Sequence, residues 1–381
     1  MNLSSAHRAC LAASVSAFAL VACGGGGASS IGGCVSGYNM TSCPPAGGGA
    51  GAGKSYAATN LVSDGSGTTY TDANLINGWG VAFNPQGFVW VADAGTSKST
   101  LYDGHGVPQS LVVNIPPGQA GSANPTGIVF NGTQDFVVTQ AGARGASAFL
   151  FVGEAGTVSG WSPGVNPTAA VTVFDGGASG KVYKGTTLAA QGSANFLYAT
   201  DFHNGTVDLF DNAFRKVAAA GGFVDPAMPA GYAPFGIQAI GANIYVSYAR
   251  QDVQAHGEIR GAGLGALDVF DTAGHLVKRL AAPGGALNAP WGIAMAPANF
   301  GPFSNALLVG NFGDGKINAF DPTTGALLGT LSKADGSAIV IDGVWGLAFG
   351  NGLNSQPTNT LFFAAGPAGQ AHGLYGRVDN Q

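Results

Sequence analysis

A seven-residue stretch, Asn77-Gly78-Trp79-Gly80-Val81-Ala82-Phe83, contains the pattern that recurs through the chain. In each copy a Gly precedes the first residue of a strand-like run. The six copies are Trp79-Gly80-Val81, Thr126-Gly127-Ile128, Lys184-Gly185-Thr186, Phe235-Gly236-Ile237, Trp291-Gly292-Ile293 and Trp345-Gly346-Leu347. Successive Gly positions differ by 47, 58, 51, 56 and 54 residues. Blade-type repeats are about 40–50 residues long, so the excess predicts loop insertions.

A second pattern occurs further along each repeat. It consists of apolar residues followed by an aromatic residue and a turn. Its copies are Thr100-Leu101-Tyr102-Asp103, Gly156-Thr157-Val158-Ser159-Gly160-Trp161, Gly205-Thr206-Val207-Asp208-Leu209-Phe210-Asp211, Gly265-Ala266-Leu267-Asp268-Val269-Phe270-Asp271, Gly315-Lys316-Ile317-Asn318-Ala319-Phe320-Asp321 and the degenerate Gly373-Leu374-Tyr375-Gly376. Short β-rich runs lie between and after the two patterns, so each repeat contains four strands. The sequence therefore predicts an all-β, six-bladed β-propeller of four-stranded blades.

The last repeat lacks one strand, while the run Asn60-Leu61-Val62-Ser63 precedes the first repeat and is unassigned. We expect this N-terminal strand to close the ring, because closure removes the free sheet edge of a linear array.

The composition is consistent with the predicted β-propeller: the chain has 64 Gly, 46% hydrophobic and only 9% charged residues. The formal net charge of −5 is dispersed along the chain, which argues against nucleic-acid binding.

The N-terminal residues have the features of an export signal. Residues 1–22 combine a basic start with a short apolar run and end at Leu20-Val21-Ala22-Cys23. This matches the bacterial lipobox, so we interpret 1–22 as a lipoprotein signal peptide and Cys23 as the lipidated residue; the alternative is an ordinary cleaved signal with a coincidental Cys. Residues 23–55 are Gly-rich and predict a flexible tether, which leaves 56–381 for the propeller.

The remaining predictions about location and partners follow from that signal. The protein is expected outside the cytoplasm, in a bacterial cell envelope, as an outer-membrane lipoprotein whose membrane contact is the lipid on Cys23. Cys34 and Cys43 remain as a pair in an oxidising compartment, where a disulfide is the default. We expect a monomer.

Candidate binding residues lie at two positions of each repeat. Consecutive antiparallel strands reverse direction, so residues at the start of the first strand and the end of the second share one face of the disc. A ligand site on that face would use the large or charged residues of the first position and the polar residues of the second: Trp79, Lys184, Phe235, Trp291, Trp345, Asp93, Asp201 and Asn311. In blade 2 the second-strand position falls on Gln140.

A structural interpretation of the same residues stays open. A Trp before the inner strand often packs one blade on the next, and an Asp after a strand often caps the turn through its own backbone. Lys184 has no evident packing role of this kind. A single ammonium among aromatic residues favours a ligand-binding or cation–π function.

No catalytic residue or cofactor is indicated by the pattern. Asp93, Asp201 and Asn311 are hard-oxygen groups, and calcium is the metal that they would suit. The only two Glu, Glu154 and Glu258, lie far apart in the chain, and nothing marks them as a catalytic pair.

The segments Asn77–Phe83, Ser99–Gly104, Tyr183–Gly185 and Ala199–Asp211 resemble an uncharacterised family of exported bacterial proteins, similar to NHL-type six-bladed propellers. The resemblance covers roughly residues 58–378. It implies the propeller fold but no settled activity. NHL-like relatives include lyases and hydrolases with a metal held at the central mouth by His or carboxylates, and the repeat frame of this chain has no matching ring of such residues.

Three hypotheses result. The first is a lipid-anchored propeller that binds a protein, a glycan or a small molecule at the face where the inner strands begin. The second is a calcium-type hydrolase or lyase that uses Asp93, Asp201 and Asn311. The third is a structural component of the cell envelope.

Overall fold

The computed structural model describes residues 54–381, and they form six antiparallel β-sheets arranged as the blades of a propeller. The chain begins with β1 (Tyr56–Ser63) and β2 (Tyr70–Thr71). Blade 1 contains β3 (Gly78–Phe83), β4 (Val89–Asp93), β5 (Lys98–Tyr102) and β6 (Val113–Asn114). Blade 2 contains β7 (Pro125–Phe130), β10 (Phe149–Gly153), β11 (Thr157–Trp161) and β12 (Val171–Asp175), with the additional hairpin β8 (Val137–Gln140) and β9 (Ala143–Ala146).

The remaining blades follow the same order from the axis outward. Blade 3 contains β13 (Tyr183–Gln191), β14 (Ala194–Asp201), β15 (Thr206–Phe210) and β16 (Lys216–Val217). Blade 4 contains β17 (Tyr232–Ile240), β18 (Asn243–Gln251), β20 (Gly265–Asp271) and β21 (Leu276–Ala281), with β19 (Glu258–Ile259) paired to β18. Blade 5 contains β22 (Pro290–Met295), β23 (Leu307–Asn311), β24 (Ile317–Phe320) and β25 (Leu327–Thr330).

Blade 6 is closed by the N-terminal strand, as the sequence predicts. It contains β26 (Val344–Phe349), β27 (Leu361–Ala365) and β28 (Leu374–Asn380), and β1 pairs antiparallel with β28 as the outer strand. Helical structure in the described residues is limited to the 3₁₀ turns Ala94–Thr96 and Gly177–Ser179 and the four-residue α1 (Pro367–Gln370). No helix among residues 54–381 combines the length and apolar character needed to cross a bilayer.

The core consists of apolar layers between neighbouring blades. Trp90 of β4 stacks on Phe149 of β10, with ring centroids 4.1 Å apart, and also contacts Trp161 of β11. The second strands are therefore buried on both faces, and all five residues of β4 and of β23 are buried. This explains why these strands read as continuous apolar runs instead of alternating ones.

The recurring Gly has a steric origin. The six inner strands contact one another in cyclic order around the axis. A Cβ on Gly236 would lie 2.0 Å from the carbonyl oxygen of Trp291 on the next blade, and one on Gly346 would lie 2.5 Å from that of Trp79. Corresponding backbone contacts recur at the other inner-strand glycines, Gly80, Gly127, Gly185 and Gly292. The sequence repeat thus records how closely the inner strands approach each other.

The turns that the sequence predicts after the aromatic residue of the second pattern are also confirmed. Asp103, Asp211 and Asp321 each accept hydrogen bonds from backbone N–H groups two to four residues ahead. The signal peptide, the lipidation of Cys23 and the pairing of Cys34 with Cys43 concern residues outside the described range and stay predictions. The tether prediction, over 23–55, lies outside it except for its last two residues.

Candidate functional site

The residues that begin the inner strands meet at the propeller axis. Their aromatic rings, with two from the second-strand ends, form what we call the axial aromatic cluster: Trp79, Phe202, Phe235, Trp291, Phe312 and Trp345. Trp345 lies at its centre. It stacks on Phe312 with ring centroids 3.6 Å apart and on Trp79 at 3.9 Å. Phe235 and Trp291 approach Trp345 edge-on.

This cluster fills the axis. Trp79 is 1% exposed, and Phe235 and Trp345 are fully buried, whereas Trp291 is half-buried. On the other side of the cluster a cavity of about 30 Å³ is lined mainly by the inner-strand residues that follow each Gly. Trp79, Phe235 and Trp345 thus form the buried floor beneath any site on this face. The six inner strands converge too closely for these rings to remain exposed to solvent.

Lys184 lies beside this floor, and its charge is buried. The residue is 2% exposed, and its Nζ lies 5.1 Å from the Trp79 ring centroid and 5.7 Å from that of Phe202. The ammonium forms an ion pair of 2.5 Å with Glu154, whose side chain is 18% exposed. The backbone carbonyl of Lys184 accepts a hydrogen bond from the Trp291 indole. Lys184 therefore joins blades 2, 3 and 5.

Glu154 is a residue that sequence reasoning missed. The assignment of Gln140 to the end of the second strand of blade 2 is wrong, because Val137–Gln140 pairs with Ala143–Ala146 in an inserted hairpin. The second strand is β10, and Glu154 directly follows it. The spacing of 58 residues between Gly127 and Gly185, the longest of the five, was the signal that blade 2 contains an insertion.

The β18–β19 hairpin of blade 4 adds two more charged residues. The guanidinium carbon of Arg260 lies 3.9 Å from the ring centroid of Phe312. Burial raises the pKa of Glu258 above its ordinary value, while nearby Lys184 and Arg260 act in the opposite direction. Of the only two Glu of the chain, Glu154 therefore pairs with Lys184 and Glu258 lies within its electrostatic influence. We call Glu154, Lys184, Glu258 and Arg260, above the aromatic cluster, the axial site.

Two of the polar residues at the second-strand ends, Asp201 and Asn311, have local hydrogen-bond partners. Asp201 is fully buried and binds Lys181 Nζ at 2.8 Å and Asn204 Nδ2 at 2.8 Å. Asn311 accepts from the Asn288 N–H and donates to the Ala286 carbonyl. These contacts match the interpretation of such residues as loop anchors.

Asp93 is different, since it is fully buried and its carboxyl oxygens lack a hydrogen-bond partner among the described residues. Burial raises its pKa well above the ordinary value. Within residues 54–381 no three His, Cys, Asp or Glu side chains are grouped as a metal site would require. The calcium set Asp93, Asp201 and Asn311 stays a prediction.

A wide cleft of about 810 Å³ lies elsewhere, between β1 and the loop before β26. It contains the exposed His372, whose Nδ1 lies 2.8 Å from Asp64. Asp64 also accepts a hydrogen bond from the Gly373 N–H, so its two oxygens are occupied. The axial site is the better candidate, because its charged groups lie over an aromatic cluster and the side chains of Glu258 and Arg260 form no hydrogen bond with another described side chain.

Comparisons with known proteins give relatives without an assigned activity. No known family profile matches the chain. The uncharacterised protein R648 of Acanthamoeba polyphaga mimivirus is 33% identical over 332 residues, covering 85% of this chain and 79% of that protein. The uncharacterised protein L690 of the same virus is 33% identical over 317 residues, covering 81% of each. Among solved structures, a streptogramin B lyase covers 86% of this chain and 97% of its own, at 12% identity and a TM-score of 0.48.

Proposed function

Because this chain belongs to the family of uncharacterised proteins that includes R648 and L690 of Acanthamoeba polyphaga mimivirus, we infer its function from the axial site. We propose that the protein is a binding propeller, and that it takes a small polar ligand at the axial site, on the face where the inner strands begin.

The observation that carries this proposal is the concentration of charge beside the axis. Lys184 and Glu154 form a largely buried ion pair, and burying such a pair gives little net stability compared with an apolar replacement. Glu258 is half-buried and within the electrostatic influence of Lys184, whereas Arg260 is exposed and lies over Phe312; neither side chain forms a hydrogen bond with another described side chain. Charged groups that lie over an apolar floor and have unused hydrogen-bonding capacity are typical of ligand sites.

A small ligand fits this arrangement better than a large partner. The charged groups of the site without an ion-pair partner number two, Glu258 and Arg260, and both come from the β18–β19 hairpin and the residue that follows it. The aromatic floor is nearly inaccessible, since Trp79 and Trp345 are almost fully buried. Contacts with a ligand would therefore concentrate on a few polar groups at one point, as in small-molecule sites.

The test is a thermal-shift screen of the purified full-length protein against amino acids, sugars, sugar acids, nucleotides and carboxylic acids, followed by calorimetry on every compound that stabilises it. We expect Glu258→Gln or Arg260→Gln to weaken binding by about 10-fold or more, because each removes a charged hydrogen-bonding partner. Arg215→Gln is the control, since Arg215 is 77% exposed at a turn of blade 3. Equal affinity in all the variants would contradict a ligand site at the axis.

A second candidate function uses the same residues. Two carboxyl groups in unlike environments, one paired with an ammonium and one desolvated, favour acid–base chemistry. Glu154 and Glu258 have this relationship. A hydrolase or lyase would consume the bound compound, so mass spectrometry of each ligand after prolonged incubation with the protein separates catalysis from binding.

A further inference from the structure

We infer that the ligand of the axial site is a small zwitterion, such as a free amino acid, whose anionic group binds Arg260 and whose protonated amine binds Glu258. This inference rests on the proposed binding function and names the chemical class of its ligand.

The β18–β19 hairpin presents both residues to the axis. In the hairpin, Glu258 pairs with Gln251 and Ile259 pairs with Arg250. Side chains alternate along a strand, so Glu258 and Ile259 project to opposite sides, and Ile259 is the exposed one. Arg260 follows directly after the strand. Its contact with Phe312, and the electrostatic influence of Lys184 on Glu258, indicate that both charged residues face the axis.

Arg260 is arranged to receive an anion. Its guanidinium lies over the Phe312 ring, which holds the group by a cation–π contact while leaving its N–H edges free. None of those N–H groups donates a hydrogen bond to another described residue. A planar guanidinium with free edges suits the two oxygens of a carboxylate or of a phosphate.

Glu258 is arranged to receive a cation. The residue is half-buried, and its carboxyl accepts no hydrogen bond from a described side chain. The nearby ammonium of Lys184 is already bound to Glu154. The raised pKa of Glu258 agrees with a carboxyl that has lost water and gained no cation of its own. A protonated amine would supply both the donors and the charge.

The two groups leave each other free. Glu258 and Arg260 influence one another electrostatically but form no ion pair among those of the described chain. A ligand with one charge would satisfy one group and leave the other unpartnered, and a ligand with two like charges would be repelled by one of them. A zwitterion, whose anionic group faces Arg260 and whose cationic group faces Glu258, satisfies both residues. Specificity then follows from the placement of the two charges.

One buried donor nearby has no acceptor. The indole N–H of Trp79 lacks a hydrogen-bond partner among the described residues, although the residue is 1% exposed. Buried donors of this kind are normally satisfied, by protein, water or ligand. Trp79 lies beneath Lys184 in the same cluster, so the unused donor belongs to the site and not to a distant part of the fold.

The experiment measures binding of the twenty standard amino acids to the full-length protein by calorimetry and saturation-transfer NMR. Each amino acid is compared with its N-acetyl form, which lacks the cation, and with its amide, which lacks the anion. We expect at least one amino acid to bind, and both of its blocked forms to bind about 10-fold more weakly or worse.

The variants assign each half of the ligand to its residue. Glu258→Gln should abolish the preference for the amino acid over its N-acetyl form while retaining the preference over the amide, and Arg260→Gln should show the reverse pattern. Arg215→Gln should keep both preferences. Melting temperatures close to that of the wild type establish that the hairpin variants fold.

The outcomes separate the two proposals. If no amino acid binds but another screened compound binds in a Glu258- and Arg260-dependent manner, the zwitterion inference is wrong and the axial site stands. If compounds bind and no substitution at the axial site changes their affinity, both proposals are wrong. Absence of binding by every compound in both sets would also overturn both.

Discussion

At the scale of single residues, Lys184 and Glu154 place an ion pair beside the aromatic centre of the ring. Lys184 is 2% exposed, so its charge depends on one carboxylate and two ring faces for the interactions that water would otherwise supply. A buried charge whose partner is removed is strongly unfavourable, whereas an apolar replacement of both partners is close to neutral.

Replacement of Glu154 by Leu should therefore lower the free energy of unfolding by about 3 kcal/mol, measured by urea denaturation. The double variant Lys184→Met with Glu154→Leu should recover most of that loss, because neither charge remains. Arg215→Ala removes a 77% exposed partner from a surface pair and should cost less than about 1 kcal/mol. A Glu154→Leu protein as stable as the wild type would show that Lys184 reaches water.

Because Asp268 in β20 is a buried carboxyl group, we expect the stability of the protein to depend on pH. Burial, reinforced by the neighbouring Asp225, raises the pKa of Asp268 from 3.8 to about 7. The folded state therefore binds this proton more tightly than the unfolded state does. Stability from this group is present at low pH and is lost as the pH rises towards about 7.

Asp268→Asn should remove that part of the pH dependence. Urea denaturation at about pH 5 and about pH 8 should show a smaller loss of stability at the higher pH in the variant than in the wild type. Asp335→Asn is the control, since Asp335 lies at a fully exposed turn where its pKa is lowered, which places its titration outside this range. Identical pH profiles for wild type and Asp268→Asn would contradict the prediction.

At the scale of secondary-structure elements, the packing of the inner strands explains why Gly recurs at the same position in every repeat. The backbones of adjacent inner strands approach so closely that a methyl group on Gly236 would lie 2.0 Å from the Trp291 carbonyl oxygen. The contact is with backbone, so a side-chain rotation cannot relieve it. A side chain at this position would therefore force the inner strands of the ring to move apart, or would distort the backbone of one strand.

Gly236→Ala should therefore destabilise the protein by about 1–3 kcal/mol or more, the range for overpacked interiors. Gly65→Ala is a matched control, because a Cβ there would meet nothing within 4 Å. Chemical denaturation of both variants gives the comparison. Equal stability of Gly236→Ala and Gly65→Ala would show that the inner strands tolerate separation.

At the scale of the whole molecule, β1 joins the start of the propeller to its end. It pairs with β28 from Tyr56↔Asn380 to Ser63↔Leu374, and its Leu61 and Val62 side chains belong to the layer between blades 6 and 1. The inner strands form a closed cycle, so losing the outer strand of blade 6 weakens the junction between the first and last blades.

Leu61→Ala should lower stability by about 2–5 kcal/mol, since Leu61 is 5% exposed. Thr59→Ala, exposed in the same strand, should have an effect within about 0.5 kcal/mol. Far-UV circular dichroism and tryptophan fluorescence should report one coincident transition in Leu61→Ala, as in the wild type. Two separate transitions would show that blade 6 opens independently of the ring.

The predicted location in the cell rests on residues outside the described range. If Cys23 is lipidated, Cys23→Ser expressed in a bacterial host should appear in the soluble fraction or remain as an unprocessed precursor, and should lose labelling by radioactive palmitate. Cys34→Ser is the control, because it leaves the lipobox intact. Membrane retention of a correctly processed Cys23→Ser protein would exclude the lipid anchor.

Most of the fold could be predicted from local sequence patterns. The six Gly positions, the aromatic-Asp turns and the spare N-terminal run predicted six four-stranded blades and their closure, because strand periodicity and turn chemistry act over a few residues and can be read locally. The inner-strand Gly repeat needed no structure to be found, although its cause, the approach of neighbouring backbones, became visible only in the folded ring.

The composition of the axial site could not be predicted from local patterns, because it depends on the folded ring. Glu154, Lys184 and Glu258 belong to three blades and lie 30 and 74 residues apart along the chain. Their meeting depends on ring geometry, on the β8–β9 insertion that displaces the second strand of blade 2, and on the path of the β18–β19 hairpin. Loop conformations and axial packing depend on contacts between distant residues, and no local pattern of the sequence encodes them.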